Sequence, residues 1–244
     1  MAAYSSAQAA LRLMRPGRKN SEVTAVVAKV CKAYGVEPLE GTLSHQVKKH
    51  VIDGNRVVVT GKGGVECKVD EFEFEENEAY AMDFAVSTGE GKTKELGDRT
   101  TVFKRQVDRE YRLKLQASRK LFSAINAKHA VLPFTLAAMG DERNAKLGIT
   151  EIVSHELVVP YPTLYEKEGE IVARVAFTAL IMPSQTMPIT SLIEPKAKSE
   201  KKIEDQEILD LLAQEISKKS NKQKKKEKKA AEDAAAGSEA MKDA

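Results

Sequence analysis

The 244-residue chain predicts an α+β domain. Three observations carry that prediction. Two amphipathic helical patterns open the chain, strand-like runs dominate its middle and its end, and a helical block of roughly 50 residues, judged by periodicity, interrupts the strands. Hydrophobic residues make up 42% of the chain, enough for a substantial core.

In order along the chain, SSAQAALRLMRPG predicts a helix that stops at Pro16-Gly17. SEVTAVVAKVCKAYG predicts a second, with Ser21 as N-cap and Gly35 taking the left-handed position at the C-terminus. Val23, Val26, Val27, Val30, Cys31 and Tyr34 share one face of it, and its β-branched content argues for tertiary packing over intrinsic helicity. RVVVT (56–60), EFEFE (71–75), AYAMDFAVS (79–87) and TVFK (101–104) read as strands. The third is too apolar for a half-exposed strand and should be central. VDREYRLKLQASRKLFSAINAKHA then predicts one long helix, with Tyr111, Leu115, Ser118, Phe122 and Ile125 recurring at helical spacing before Pro133. DERNAKLGITEIVSHELV predicts one or two shorter helices, and EIVARVAFTALIMP (170–183) returns to strand. EDQEILDLLAQEI (204–216) is a short amphipathic helix. The resulting division is 1–106 and 159–195 for the sheet-forming parts, 107–158 for a helical insertion, 196–216 for a linker with its helix, and 217–244 for a tail expected to be disordered.

Composition narrows the function. Aromatics are 5% and Trp is absent, which weakens any mechanism built on aromatic base stacking. No run of about 18 apolar residues suggests membrane insertion, and the opening residues lack a signal-peptide pattern. Cys31 and Cys67 make neither a disulfide framework nor a zinc ligand set, so a reduced, intracellular protein is expected.

The net charge of +3 is unevenly spread. SKKSNKQKKKEKK (217–229) holds eight Lys and one Glu, a net of +7, while 230–244 carries −3 and leaves residues 1–216 at −1. Lys218, Lys219, Lys222, Lys224, Lys225, Lys226, Lys228 and Lys229 therefore form an electrostatic arm. Such arms bind phosphate backbones by counterion release, and the lack of Arg argues against precise base reading. A nuclear-import signal and a merely solubilising tail are the competing readings. GEGK (89–92) lacks the glycine spacing and Lys-Ser/Thr pair of a phosphate loop.

LSHQVKKHVIDG (43–54) holds two of the four histidines. His45 and Asp53 would lie roughly 27 Å apart along an extended strand, so they could share a site only if the chain folds back. By themselves they are weak evidence for a metal centre.

That stretch, with EENEAYAMDFAVSTGEG (75–91), RTTVFKR (99–105), LPFTL (132–136), LYEKEGEIVARVAFTALIMP (164–183) and MPITS (187–191), resembles the proliferation-associated, growth-factor-receptor-binding proteins. These are non-catalytic relatives of the type II methionine aminopeptidases, with the pita-bread fold. The match runs from about residue 5 to the Lys-rich tail. The resemblance implies two similar α/β halves sharing one curved antiparallel sheet, of which this chain supplies the second half, with the insertion and tail. A truncated product, an incomplete gene model or a short form held by a partner would each fit, and the sheet is expected to show an uncovered edge and an exposed apolar face.

The active aminopeptidases hold two divalent metals. The resemblance places His45 on their His ligand, Asp83 where they carry a ligating Glu, Ala176 where they carry the last, bridging Glu, and Asp53 where they carry a substrate-side His. A two-metal site needs several anionic oxygens around a shared water. Ala176 offers none, and Asp83 is one methylene short. The expectation is therefore no enzyme and no cofactor, with His45 and Asp83 as hydrogen-bonded residues of a former cleft; a metal-dependent methionine aminopeptidase is the alternative.

The resemblance further implies association with the large ribosomal subunit, rRNA and other structured RNAs, acting in ribosome biogenesis, translation and growth regulation between cytoplasm and nucleus or nucleolus. Lys104, Arg105, Arg109, Arg112, Lys114, Arg119 and Lys120 are the candidate docking cations of the insertion and nearby loops, against the alternative of a solvated helix face. Ile208, Leu211 and Leu212 resemble a helix that engages transcription regulators in a co-repressor or adaptor, although core-facing roles are the simpler reading of these residues.

Overall fold

The computed structural model describes residues 1–61, 69–196 and 199–216. Helix α1 (Ala2–Leu13) is rich in alanine, and Ala7, Ala9 and Ala10 are wholly buried. Pro16-Gly17 ends this segment, with Gly17 at φ +82° donating its N–H to the Phe74 carbonyl. Helix α2 (Asn20–Tyr34) ends at Gly35, whose left-handed conformation (φ +62°) matches the expectation. Its start differs. Lys19, not Ser21, occupies the cap, and the Glu22 carboxylate accepts the Lys19 backbone N–H at 3.1 Å.

The main sheet is antiparallel, with β1 (Glu37–Pro38), β2 (Leu43–Val47), β3 (Val57–Val59), β4 (Glu78–Ser87), β10 (Val172–Ile181) and β11 (Thr186–Pro188). Its order is β11-β10-β4-β2-β3, with β1 paired to the end of β4. The 79–87 run is therefore central, as its apolar character requires. β4 and β10 pair along their full length, from Val172 opposite Ser87 to Ile181 opposite Glu78. Between them in sequence come β5 (Lys94–Glu95), β6 (Val102–Arg105), α3 (Gln116–Lys128), β7 (Phe134–Thr135), a 3-10 turn (Leu136–Met139), α4 (Glu142–Ser154), β8 (Val158–Tyr161) and β9 (Leu164–Tyr165). β5 pairs with β9, and α5 (Gln206–Ala213) follows the sheet.

Period-two alternation divides the sheet into two unlike faces. Tyr80, Met82, Phe84 and Val86 of β4, with Phe177, Ala179 and Ile181 of β10, form the main core beneath α1 and α2. The opposite face carries His45, Ala81, Asp83, Arg174, Ala176 and Thr178. An exposed apolar face was expected here, and the open face is instead polar and small-residued. Exposed apolar side chains lie toward the ends of the last two strands and just beyond, at Ile171, Val172, Ile189 and Ile193.

The EFEFE run is not a strand of this sheet. Its backbone partners lie in the α1–α2 connection and at the first residue of α2: Phe74 N–H donates to Arg18 O, Phe72 N–H to Asn20 Oδ1, and Glu73 makes an isolated bridge with Lys19. The alternation is still real, since Phe74 turns into the core.

The separate unit is wider than the expected 107–158: β6 and β8, which flank it, pair with β7 in a small sheet, β7-β6-β8, over a core of Phe103, Leu121, Ile125, Phe134, Ile149, Ile152 and Leu157. Residues 107–115 are not helical, contrary to the single long helix expected. The Glu151 carboxylate of α4 accepts the backbone N–H groups of Lys114 (2.7 Å) and Leu115 (3.1 Å). Leu115 is the cap of α3 and Lys114 precedes it, so this carboxylate holds the non-helical chain that leads into the helix at Gln116. Tyr111 and Leu115 consequently stay exposed while Leu113 enters the core.

Helix α5 docks on α1 and α2. Ile208 is buried with Ala9 and Val30, Leu211 and Leu212 pack partly buried beside them, and Arg12 Nε donates to Gln214 O at 2.8 Å.

Candidate functional site

His45 on β2, Asp83 on β4 and Ala176 on β10 line one shallow cavity of about 470 Å³ on the open sheet face, with Leu43, Ile52, Thr178 and Thr190 at its edges. The strand registers bring them together, since Ala176 lies opposite Asp83 and His45 opposite Ala81. Asp83 is held from several directions. Its N–H donates to Ser44 Oγ (2.9 Å) and its carbonyl accepts from Thr60 Oγ1 (2.5 Å). Its carboxylate is taken bidentately by Arg174, with Nε to Oδ1 at 2.7 Å and a terminal nitrogen to Oδ2 at 2.5 Å. That hydrogen-bonded carboxylate raises the Arg174 pKa, against a smaller opposing effect of burial.

Asp83 is thus the hydrogen-bonded cleft residue the sequence predicts. His45 is not, at least at Nδ1, which is buried without a partner. Asp53 does fold back. His50 adopts φ +62°, Lys48 bridges Val51, and Gly54 N–H reaches Gln46 O at 2.8 Å. Its carboxylate, however, turns to Lys104 of β6 rather than into the cavity.

This donor set does not fit the two-metal centre that the fold class suggests. One imidazole, one carboxylate already neutralised by a guanidinium and one methyl group are too few donors for two dications. Among the described residues no group of three or more His, Cys, Asp and Glu side chains could hold a metal ion. Arg174 is the residue the sequence reading missed. Its signal was its position two residues before Ala176, which puts it on the same sheet face.

The insertion cations separate into distinct settings. Lys104 is mostly buried in its ion pair with Asp53, which removes it from the solvent-facing set. Arg105, Arg109 and Arg112 line a second cavity of about 480 Å³ with Glu110, Tyr111 and Phe122. Lys120 lines a different cavity between α3 and α4, beside Asp141 and Asn144. Lys114 and Arg119 stand exposed. Ile208 is 2% exposed and turned into the protein, so the α5 face is not presented to a partner. Lys218, Lys219, Lys222, Lys224, Lys225, Lys226, Lys228 and Lys229 lie outside the described residues. No described helix is long and apolar enough to cross a membrane.

The chain is aminopeptidase-like, with the pita-bread fold. A solved structure of a thermophilic Arx1 superposes with a TM-score of 0.80 and 29% identity, covering 89% of this chain and 64% of that one. More distant sequence matches are methionine aminopeptidases. Within that class the chain is a homologue of the proliferation-associated and ErbB-3-binding proteins. It is 49% identical over 191 residues to ErbB-3 binding protein 1 of Solanum tuberosum, covering 78% of this chain and 49% of the relative. It is 39% identical over 225 residues to a curved DNA-binding protein of Schizosaccharomyces pombe, covering 90% and 58%. The chain spans about half the length of the curated relatives it matches. No family model matches it.

Proposed function

We propose that the chain acts as a non-catalytic, aminopeptidase-like docking protein that associates with the large ribosomal subunit and RNA. Its setting would be ribosome biogenesis, translation and growth regulation, in the cytoplasm and the nucleus or nucleolus. The observation that carries the non-catalytic part is the commitment of the Asp83 carboxylate to Arg174 opposite an alanine at 176. The binding part is supported by the Lys-rich segment 217–229 and the arginines of the insertion. A nucleic-acid partner also agrees with the name of the Schizosaccharomyces pombe relative.

Docking in this reading divides between shape, supplied by the insertion, and sequence-independent charge, supplied by the tail. The adaptor alternative through α5 is disfavoured, because displaying Ile208 would require undocking the helix from α1 and α2. The test is sedimentation of the full chain with purified large subunits at low salt. Co-pelleting is expected, and recovery in the supernatant would overturn ribosome association.

A further inference from the structure

We propose that the free edge of β10, Val172–Ala176, pairs antiparallel with the same segment of a second copy of the chain, joining two main sheets about a twofold axis. This interface goes beyond the docking function above and does not depend on it.

The backbone groups of β10 alternate between its two edges. The odd residues serve β4: Ile171 O accepts from Thr88 N–H at 3.1 Å, and Ile181 O from Asn77 N–H at 2.7 Å. The even residues face the other way. Thr178 O accepts from Ile189 N–H at 2.7 Å, and Thr178 N–H donates to Thr190 Oγ1 at 2.8 Å. The β11 ladder itself covers Ala179–Ile181. Val172, Arg174 and Ala176 therefore point their N–H and C=O groups off the edge, where no described strand meets them. Val172, Ala173, Arg174 and Ala176 are exposed, so the segment is open on both faces as well. Such an edge is a template for another strand, and a charge commonly guards it. Here the charge of the segment, Arg174, is neutralised by Asp83.

The segment fits a second copy of itself. With Arg174 opposite Arg174 of the second copy, Val172 lies opposite Ala176 and Ala173 opposite Val175, so a larger side chain meets a smaller one on both faces. The three open residues of each copy exchange hydrogen bonds around an isologous dyad. A one-residue slip would set them against the odd residues, which already serve β4. Overlap beyond this length is blocked, because Ile189 and Thr190 occupy the edge at Thr178. The same register carries the exposed Ile171 of each copy toward the exposed Ile189 of the other, adding apolar burial at both ends. Like charges directly opposite are unfavourable, and each Asp83 carboxylate offsets its own guanidinium at the dyad. A strip this short falls below the roughly 1,200 Å² at which stable interfaces begin, so a weak dimer in the micromolar range is expected.

Sedimentation velocity of the full chain over a concentration series reads the association. The wild type should pass from monomer to dimer as concentration rises. Ala176→Pro removes an N–H that points away from β4, which an edge strand tolerates. It should stay monomeric, while Ala176→Ser, which keeps the N–H, should associate like the wild type. Val172→Pro, at the first residue of the strand, is a second probe, and circular dichroism checks the fold of each variant. Asp83→Asn should weaken the dimer at low salt, and added salt should restore part of it by screening the two guanidiniums. Amide exchange of the wild type needs no substitution. The Val172, Arg174 and Ala176 amides should gain protection with concentration, whereas those of Ala173 and Val175, which face β4, should not change. A wild type that stays monomeric throughout would overturn the proposal. So would a dimer that survives both folded proline variants, or exchange at the three even-numbered amides that is independent of concentration.

Discussion

Arg174 grips both carboxylate oxygens of Asp83 across the β4–β10 ladder, at 2.7 and 2.5 Å, beside an alanine at 176. The carboxylate that the sequence resemblance expects at a metal-ligand position is thereby committed to an organic cation. After incubation with Mn2+ or Co2+ and dialysis, the chain should retain no stoichiometric metal by plasma mass spectrometry. It should also release no N-terminal Met from a short peptide. Arg174→Ala should change unfolding stability by about 1 kcal/mol or less, because the Arg174 side chain is 67% exposed and solvent screens the pair. A larger loss in urea titration would mean that the pair has a structural role beyond its charge.

Helix α5 offers a contrast between neighbouring side chains. Ile208 is 2% exposed and Leu209 is 40% exposed. Ile208→Ala should cost about 2–5 kcal/mol in denaturant unfolding, whereas Leu209→Ala should remain within about 0.5 kcal/mol of the wild type. Equal effects would show that α5 does not rest on α1 and α2 in solution.

The Cys31 thiol, packed in the core near Ser6, is pushed by burial from its ordinary value of 9.0 up to about 11. The fold therefore favours the neutral thiol. Its contribution to stability is fully present below the unfolded value and is lost as pH rises from about 9 toward 11. In a Cys67→Ser background, native chain at pH 8 should react with a thiol reagent far more slowly than urea-unfolded chain. Equal rates would contradict the packed environment.

Glu151 holds the start of α3 by accepting the Lys114 and Leu115 N–H groups. Glu151→Ala should accelerate hydrogen exchange at those two amides while leaving the amides of β4 unchanged. Acceleration throughout the chain would instead place Glu151 in the global stability of the fold.

The same contacts show what was legible in the sequence. The central strand 79–87, both N-terminal helices and the left-handed Gly35 follow from local pattern and match the structure. The 71–75 alternation indicated an extended backbone correctly, but not its partner, which depends on the remote Asn20 side chain. The helical period through 107–115 was overridden by a carboxylate some 36 residues away. In the cleft, Ala176 was informative because an alanine has no donor whatever the fold. The Asp83–Arg174 pair required the β4–β10 register, which a single sequence does not state. Likewise Lys104 read as a free surface cation until Asp53 folded back onto it.

The most direct test of the docking account is co-sedimentation with large ribosomal subunits across a salt series, comparing residues 1–244 with 1–216. The account predicts that the full chain pellets at low salt and that removing the tail weakens binding and flattens the salt dependence, by at most about 0.7 per phosphate neutralised on single strands. Equal pelleting and equal slopes would contradict a role for the Lys arm in affinity, and failure of both chains to pellet would contradict ribosome docking itself.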